Sequence, residues 1–219
     1  MKAMLETLKA KNPGLPIYSV ESEEFRSYGR VLTDLDTAPI LSAAASIENP
    51  ESGAKYVPSE PLFEALPLAK EICDRYFGCL PTQTGYCWGC NDQLNATEWH
   101  TCSEVNIGIT PVVLLLAHRW QIVNGKIDAS AFKAFYLPKG MAIEVYATSL
   151  HFTPCQVQEG GFGCVVVLPE GTNTALDAPS DDKLLTNKNK WLICHGENQR
   201  LIDRGFVPGI TGENITVHF

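Results

Sequence analysis

The sequence predicts a mainly β protein, an antiparallel sandwich or barrel with a few peripheral helices. Three observations carry this expectation. From Gln83 onward, short apolar segments alternate with Gly, Pro and Asn turns, at 83–90, 94–101, 103–109, 111–117, 132–137, 141–147, 150–157 and 162–168. No helical period intervenes between them, and one further segment runs from Lys190 to His195. The chain has 219 residues, 45% of them hydrophobic, which suits one sizeable core.

The elements follow in order. Residues 1–12 read as a short amphipathic helix that ends before Asn12-Pro13-Gly14, a turn signal. Leu15 to Val20 and Gly29 to Leu32 read as short strands, and 47–61 as a Pro-rich loop. Ser59 ahead of Pro61 marks a helix start. That helix runs to Phe77, kinked or restarted at Pro67, and stops at Gly78. Residues 170–182 form a polar loop, and the tail after His195 is irregular. The chain therefore reads as a single domain over 1–219. Its N-terminal helices and flanking strands occupy 1–82, the barrel core 83–195 and a C-terminal tail 196–219.

Charge and cysteine usage exclude several classes of function. Acidic residues outnumber basic ones 25 to 17, for a net charge of −8. Lysines and arginines are scattered, with only a mild cluster at Lys183, Lys188 and Lys190, which argues against nucleic acid or an anionic membrane as partner. The longest apolar run, Pro111 to Ala117, is far too short to span a bilayer and reads as a buried strand. The N-terminal stretch contains Glu6 and no long apolar core, so it does not read as a signal peptide, and a cytoplasmic location is expected. Without a secretion signal, the eight cysteines read as reduced thiols, several of them in apolar strands. Cys87-Trp-Gly-Cys90 has C-x-x-C spacing, yet no second pair and no following helix accompany it, so a structural strand is the reading.

Chemistry concentrates in Asn95-Ala-Thr-Glu98-Trp-His100-Thr-Cys-Ser-Glu104-Val-Asn106 and in Leu150-His151-Phe-Thr-Pro154. Glu98, His100 and Glu104 share one parity, so on extended backbone they point to one face. Two imidazoles and two carboxylates converging inside a barrel can hold a divalent ion. Mixed nitrogen and oxygen ligation without thiolate suits Mn, Fe, Zn, Co or Ni. Two buried carboxylates without a cation would be costly, or one would take up a proton. The same parity is also the ordinary pattern of a half-exposed strand: with Trp99 inward, all three residues would face solvent. Glu144 interrupts an apolar strand as a second acid or base, with a solvated position as the simpler account. His118 marks a strand end, His195 lies in a turn, and His218 sits at a mobile terminus. The segment 209–214 is a candidate cover for the barrel mouth.

This arrangement resembles the cupins, small jelly-roll barrels with two metal-binding motifs. Glu98-Trp-His100 followed by Glu104 is similar to the first cupin motif, with Glu in place of the first His. Pro138-Lys-Gly140 is similar to the start of the second motif, where Ile143 occupies the usual histidine position and His151 comes later. A weaker similarity joins Phe25-Arg-Ser-Tyr28-Gly29-Arg-Val31 and Leu150-His151 before Pro154 to ureidoglycolate lyases, and the whole chain resembles an uncharacterised bacterial cupin-like family. The resemblance implies a cupin-like antiparallel jelly-roll β-barrel. It also implies metal ligation by Glu98, His100, Glu104 and His151, and a possible homodimer through edge strands.

The leading functional expectation is a metal-dependent enzyme of carbohydrate or hydroxy-acid metabolism, an isomerase or epimerase acting through an enediol. Its partner is a small-molecule substrate, and Glu98 is the base if it is not a ligand. A C–N or C–O lyase and a non-catalytic small-molecule-binding barrel are the alternatives. A phosphorylated substrate would call on Lys139, Lys188 or Lys190.

Overall fold

The computed structural model describes residues 2–219. Along the chain the elements are α1 (Lys2–Lys11), β1 (Ile17–Ser19), β2 (Gly29–Leu32), α2 (Ala38–Ala44), β3 (Ala54–Val57), α3 (Pro61–Glu64), α4 (Pro67–Tyr76), β4 (Thr82–Gly89), β5 (Ala96–Trp99), β6 (Glu104–Gly108) and β7 (Val112–His118). There follow β8 (Ile127–Asp128), β9 (Lys133–Leu137), β10 (Ala142–Val145), β11 (Ser149–Leu150), β12 (Cys155–Gln156), β13 (Phe162–Pro169), β14 (Leu185–Asn187), β15 (Lys190–His195), α5 (Gln199–Asp203) and β16 (Pro208–Thr211).

The protein is mainly β, a barrel of jelly-roll winding with helices on its outside. One sheet runs β2-β10-β6-β13-β4-β3, and a second contains β1-β9-β7 with β11 and β12 on β7. Consecutive strands cross between these sheets: β6 to β7, β9 to β10, and β12 to β13. This crossing is the winding of a jelly roll. Apolar side chains from both sheets meet in one interior cluster, among them Val112, Leu114, Phe135, Ile143, Val145 and Phe162. Strand parity then sends the alternate residues outward. Val105 and Ile107 of β6 pack beneath α2, α3 and α4 with Ile40, Phe63 and Ile72. Val113, Leu115 and Ala117 of β7 pack against a third sheet and α1 through Trp99, Ile193, Ile210 and Leu8. Both faces of β7 are therefore buried, which accounts for its unbroken apolar run.

The helices obey local signals. Pro61 and Pro67 each occupy a first turn, where a missing N–H costs nothing. Of the two expectations at Pro67, a kink or a restart, the structure has the restart: α3 ends at Glu64 and α4 begins at Pro67. Glu60 rather than Ser59 caps α3, its carboxylate accepting from the Leu62 N–H at 3.2 Å. Gly78, at φ +60°, ends the α4 region in the left-handed conformation that glycine tolerates.

Several expectations need correction. The stretch 47–61 contains β3, which pairs antiparallel with β4, and α2 had no apolar period long enough to announce it. The segment 150–157 is two short strands bent apart at Phe152-Thr153-Pro154. The tail is not irregular: α5 and β16 occupy it. The barrel is not wholly antiparallel either, since β1 joins β9 in parallel. The third sheet holds parallel pairs too, β15 with β16 and β16 with β8. All eight cysteines are free, and Cys87 belongs to β4 as a strand residue. His195 is a buried strand end rather than a turn residue: its Nε2 donates to the Gly212 carbonyl at 3.1 Å, and its Nδ1 accepts from the Glu197 N–H. His218 is anchored, its backbone exchanging hydrogen bonds with the Asn12 side chain. No helix among the described residues is long and apolar enough to cross a membrane.

Candidate metal centre

Backbone pairing assembles the site. An isolated antiparallel bridge joins Glu98 to His151, with the Glu98 N–H donating to the His151 carbonyl at 2.6 Å and the His151 N–H returning at 3.1 Å. These two side chains are thus held across from one another. On its other edge β5 pairs with β15, Glu98 opposite Leu192 and Trp99 opposite Trp191. Glu104 opens β6, between β10 and β13, and faces the barrel interior with Asn106. The outward alternative for Glu98 fails because both faces of β5 are covered: Trp99 enters the apolar cluster shared with α1 and the third sheet, and Glu98 turns to the cavity.

Four polar residues converge. Glu98, His100 and His151 each offer a ligand atom, all within 4.8 Å of one another. Glu104 Oε2 lies 3.2 Å from His151 Nε2 and 3.8 Å from His100 Nε2, and Glu98 Oε1 lies 3.9 Å from His100 Nε2. Every one of the four is buried. Two atoms each about 2.1 Å from a common ion lie about 3 Å apart when adjacent and about 4 Å apart when opposite, so these separations are those of a coordination shell before a slight contraction.

The outer contacts fix the tautomers. His100 Nδ1 donates to the Asn189 carbonyl at 2.7 Å, and His151 Nδ1 donates to the Ser149 carbonyl at 3.2 Å. A carbonyl only accepts, so both Nδ1 atoms carry a proton and both Nε2 atoms face the cluster. His100 Nε2 is buried there without a hydrogen-bond partner, and the nearest groups to it and to His151 Nε2 are the Glu98 and Glu104 carboxylates. Buried imidazole nitrogens and carboxylates that converge in this way are a set of donors that a cation satisfies. The residues fit a divalent ion of the Mn, Fe, Zn, Co or Ni class, and the structure does not distinguish among these.

Charge coupling within the cluster is strong. Burial alone would raise the Glu104 carboxyl, but the adjacent His151, then His100 and the Asn106 amide, bring it down to about 2. Burial would lower His151, but the Glu104 carboxylate overrides it and holds the imidazole up to about 9. His100 is lowered, by burial and then by the charge of His151. Without an ion, His151 and Glu104 therefore form a buried ion pair beside a neutral His100.

Lys190 contacts Glu98 Oε2 from β15. Its neighbour Asn189, at φ +55°, turns the chain so that its carbonyl reaches His100. The surrounding cavity measures about 360 Å³ and is lined by Tyr56, Asn106, Thr153, Asn173, Lys190 and Arg204 beside Glu98, Glu104, His151 and apolar walls. Cys87 also lines it, but burial pushes its thiol up to about 12, so it presents no thiolate.

The structure brings Glu98, His100, Glu104 and His151 together. Glu144 does not join it. On β10 it stands opposite Val105, on the face turned from the interior, and its carboxylate binds Arg30 at 2.7 Å. Strand parity accounts for the difference, because Val145, not Glu144, shares the inward face with Glu104. Ile143, at the usual cupin histidine position, fills the apolar interior instead. The 209–214 segment forms part of the third sheet and does not line the cavity, and Lys188 pairs with Asp177 at 2.7 Å. Of the three lysines considered for a phosphate, Lys190 alone lines the cavity. Asn106 was accessible to parity reasoning from Glu104, whereas Arg204 and Asn173 arrive through long-range folding that no local spacing marks.

The model of one protein family, described as "Domain of unknown function (DUF4867)", matches residues 17–215, and the chain belongs to that family. No curated protein matches the sequence. Among solved structures, the chain is similar to Bacillus subtilis oxalate decarboxylase in a study of its Mn(II) centres. The identity is 8% and the TM-score 0.35, over 59% of this chain and 29% of that one. A second likeness is to Fe(II)-HppE with an alternative substrate, at 14% identity and a TM-score of 0.30, over 39% of this chain and 41% of that one. The chain thus spans well under half the length of these structures. At such scores the fold rests on the strand order and the site on its own geometry.

Proposed function

We propose that this member of the DUF4867 family is a metal-dependent enzyme acting on a small hydroxylated metabolite, an isomerase or epimerase that moves a proton between adjacent carbons. The observation that carries the reading is the pair of imidazoles with Nδ1 committed to backbone carbonyls and Nε2 turned toward two buried carboxylates. With Glu98 left free as base, His100, Glu104 and His151 would hold the ion, and the Asn106 amide fixes Glu104 by a 2.9 Å hydrogen bond. A divalent ion there supplies Lewis acidity to neighbouring carbonyl and hydroxyl oxygens.

Glu98 is the proton carrier. Of the two carboxylates it is the one nearer the cavity opening, at 12% side-chain exposure against 5% for Glu104, and it alone touches Lys190. As base it takes the proton from the carbon beside the carbonyl as the carbonyl oxygen gains one, giving an enediol; it then returns its proton to the neighbouring carbon as the other hydroxyl gives up its own and becomes the new carbonyl. Lys190 steadies the carboxylate between the two transfers. The apolar walls Val166 and Leu192 limit water at the reacting carbons.

The test separates the two carboxylates. Glu98→Gln is expected to bind metal at wild-type stoichiometry and to lose turnover, about 100-fold or more for a removed general base. Glu104→Gln is expected to lose the metal itself. Full activity in Glu98→Gln, on any substrate found by screening sugars and hydroxy acids, would contradict the assignment.

A further inference from the structure

Two cations stand at the mouth of the cavity and bear on what enters it. Lys190 is 16% exposed, in contact with Glu98 on one side and 6.0 Å from the Phe152 ring centre on the other. Arg204, just beyond α5, places its guanidinium 5.4 Å from the Phe206 ring centre and makes no ion pair among the described residues. Phe152 and Phe206 pack on one small apolar cluster with Leu192 and Leu201. The two cations therefore share one aromatic ledge, and both line the cavity.

Charge balance gives this placement its meaning. Lys190 and Arg204 offset the two carboxylates, Glu98 and Glu104. A divalent ion held by the cluster would leave these groups two charges positive, with the ion and Lys190 beside apolar walls and Arg204 at the exposed rim. A neutral polyol would leave that excess without a counter-charge, whereas an anionic group on the substrate would complement it. Arg204 has free donors for the oxygens of a carboxylate or phosphate, and Lys190 adds a point charge beside the base.

We infer that the substrate carries one terminal anionic group, a carboxylate or a phosphate, held at the Lys190–Arg204 ledge while its carbonyl end reaches the metal cluster. The inference rests on the proposed function and narrows its substrate class to sugar acids or sugar phosphates. Arg204 is the residue that sets this specificity; it touches none of the four cluster residues and is solvent-exposed.

Calorimetric titration of the metal-loaded protein tests the inference, after metal content has been measured in the same preparation. The probes are matched neutral, carboxylate and phosphate forms of two polyols: glycerol, glycerate and glycerol phosphate, then glucose, gluconate and glucose 6-phosphate. At least one anionic form should bind about tenfold or more tighter than its neutral counterpart, the scale of one charge-assisted contact. Arg204→Gln should remove that preference with metal content unchanged, and Arg204→Lys should restore part of it. Comparison of the carboxylate and phosphate forms identifies which anion the ledge holds. The inference falls if neutral forms bind equally well, if no anionic form binds, or if Arg204→Gln keeps the preference. An ion-free wild type instead overturns the metal reading, and the substrate class with it, before any titration.

Discussion

Replacing Glu104 with Gln in the metal-free protein isolates the buried pair it forms with His151. The carboxylate raises His151 from its ordinary 6.5 to about 9. At ~1.4 kcal/mol per tenfold change in proton affinity, that rise corresponds to about 3 kcal/mol of folding free energy. A raised histidine contributes fully below its unfolded value and loses the contribution as pH climbs through its folded value. A depressed carboxylate contributes fully above its unfolded value near 4.5 and loses the contribution as pH falls through about 2. The pair is thus at full strength between about pH 4.5 and 6.5. Glu104→Gln should lower stability there by about 3 kcal/mol, in line with the cost of breaking a buried ion pair. For a chain of this length that amounts to about 6–12 °C in Tm. Scanning calorimetry of chelator-treated wild type and variant, from pH 5 to 9.5, should show the gap narrow steadily above pH 6.5 and nearly close past about 9. A gap of constant size over that range would refute the coupling of His151 to Glu104.

Three further outcomes follow from the same structure. Glu144→Gln breaks a surface pair with a half-exposed Arg30 and should cost less than ~1 kcal/mol, with metal content unchanged by elemental analysis. Phe135→Ala empties the position where Phe25 and Tyr28 meet in the barrel interior, at ring separations of 5.3 and 5.0 Å, and should cost about 3–5 kcal/mol in denaturant unfolding. Gly161→Ala strains a residue at φ +86° and drives its new Cβ to 2.2 Å from the Gly89 carbonyl oxygen, so a loss of about 1–3 kcal/mol is expected by the same assay.

How much of this was legible in the sequence depended on whether the signal was local. Strand alternation from Gln83 onward found the barrel, because period-2 patterning is a property of a few neighbouring residues. Parity also brought Glu98, His100 and Glu104 to one face, and the cupin-like order of motifs added His151. Parity failed for Glu144: position within an apolar strand does not say which face turns inward, and only the register of Val145 opposite Glu104 settles it. The third sheet was hidden for a different reason. Its strands β5, β8, β15 and β16 are far apart in the chain, and β15–β16 and β16–β8 pair in parallel, with no hairpin turn between them to mark the pairing. Arg204 was invisible because its cavity position comes from the excursion after β15, and Lys190 was one of three lysines considered for a phosphate, whose side of the barrel only the packing of β15 on β5 shows. The outward-facing alternative for Glu98 could not be dismissed by pattern alone; it fails because Trp99 is also buried, in a second core.

Elemental analysis of the purified protein beside His100→Ala tests the metal centre most directly. Near-stoichiometric Mn, Fe, Zn, Co or Ni is expected in the wild type, and its loss in the variant, since removing His100 deletes a ligand whose lone pair the Asn189 carbonyl contact aims at the cluster. A wild type that stays free of metal after incubation with each ion, or a variant that retains it in full, would contradict the account.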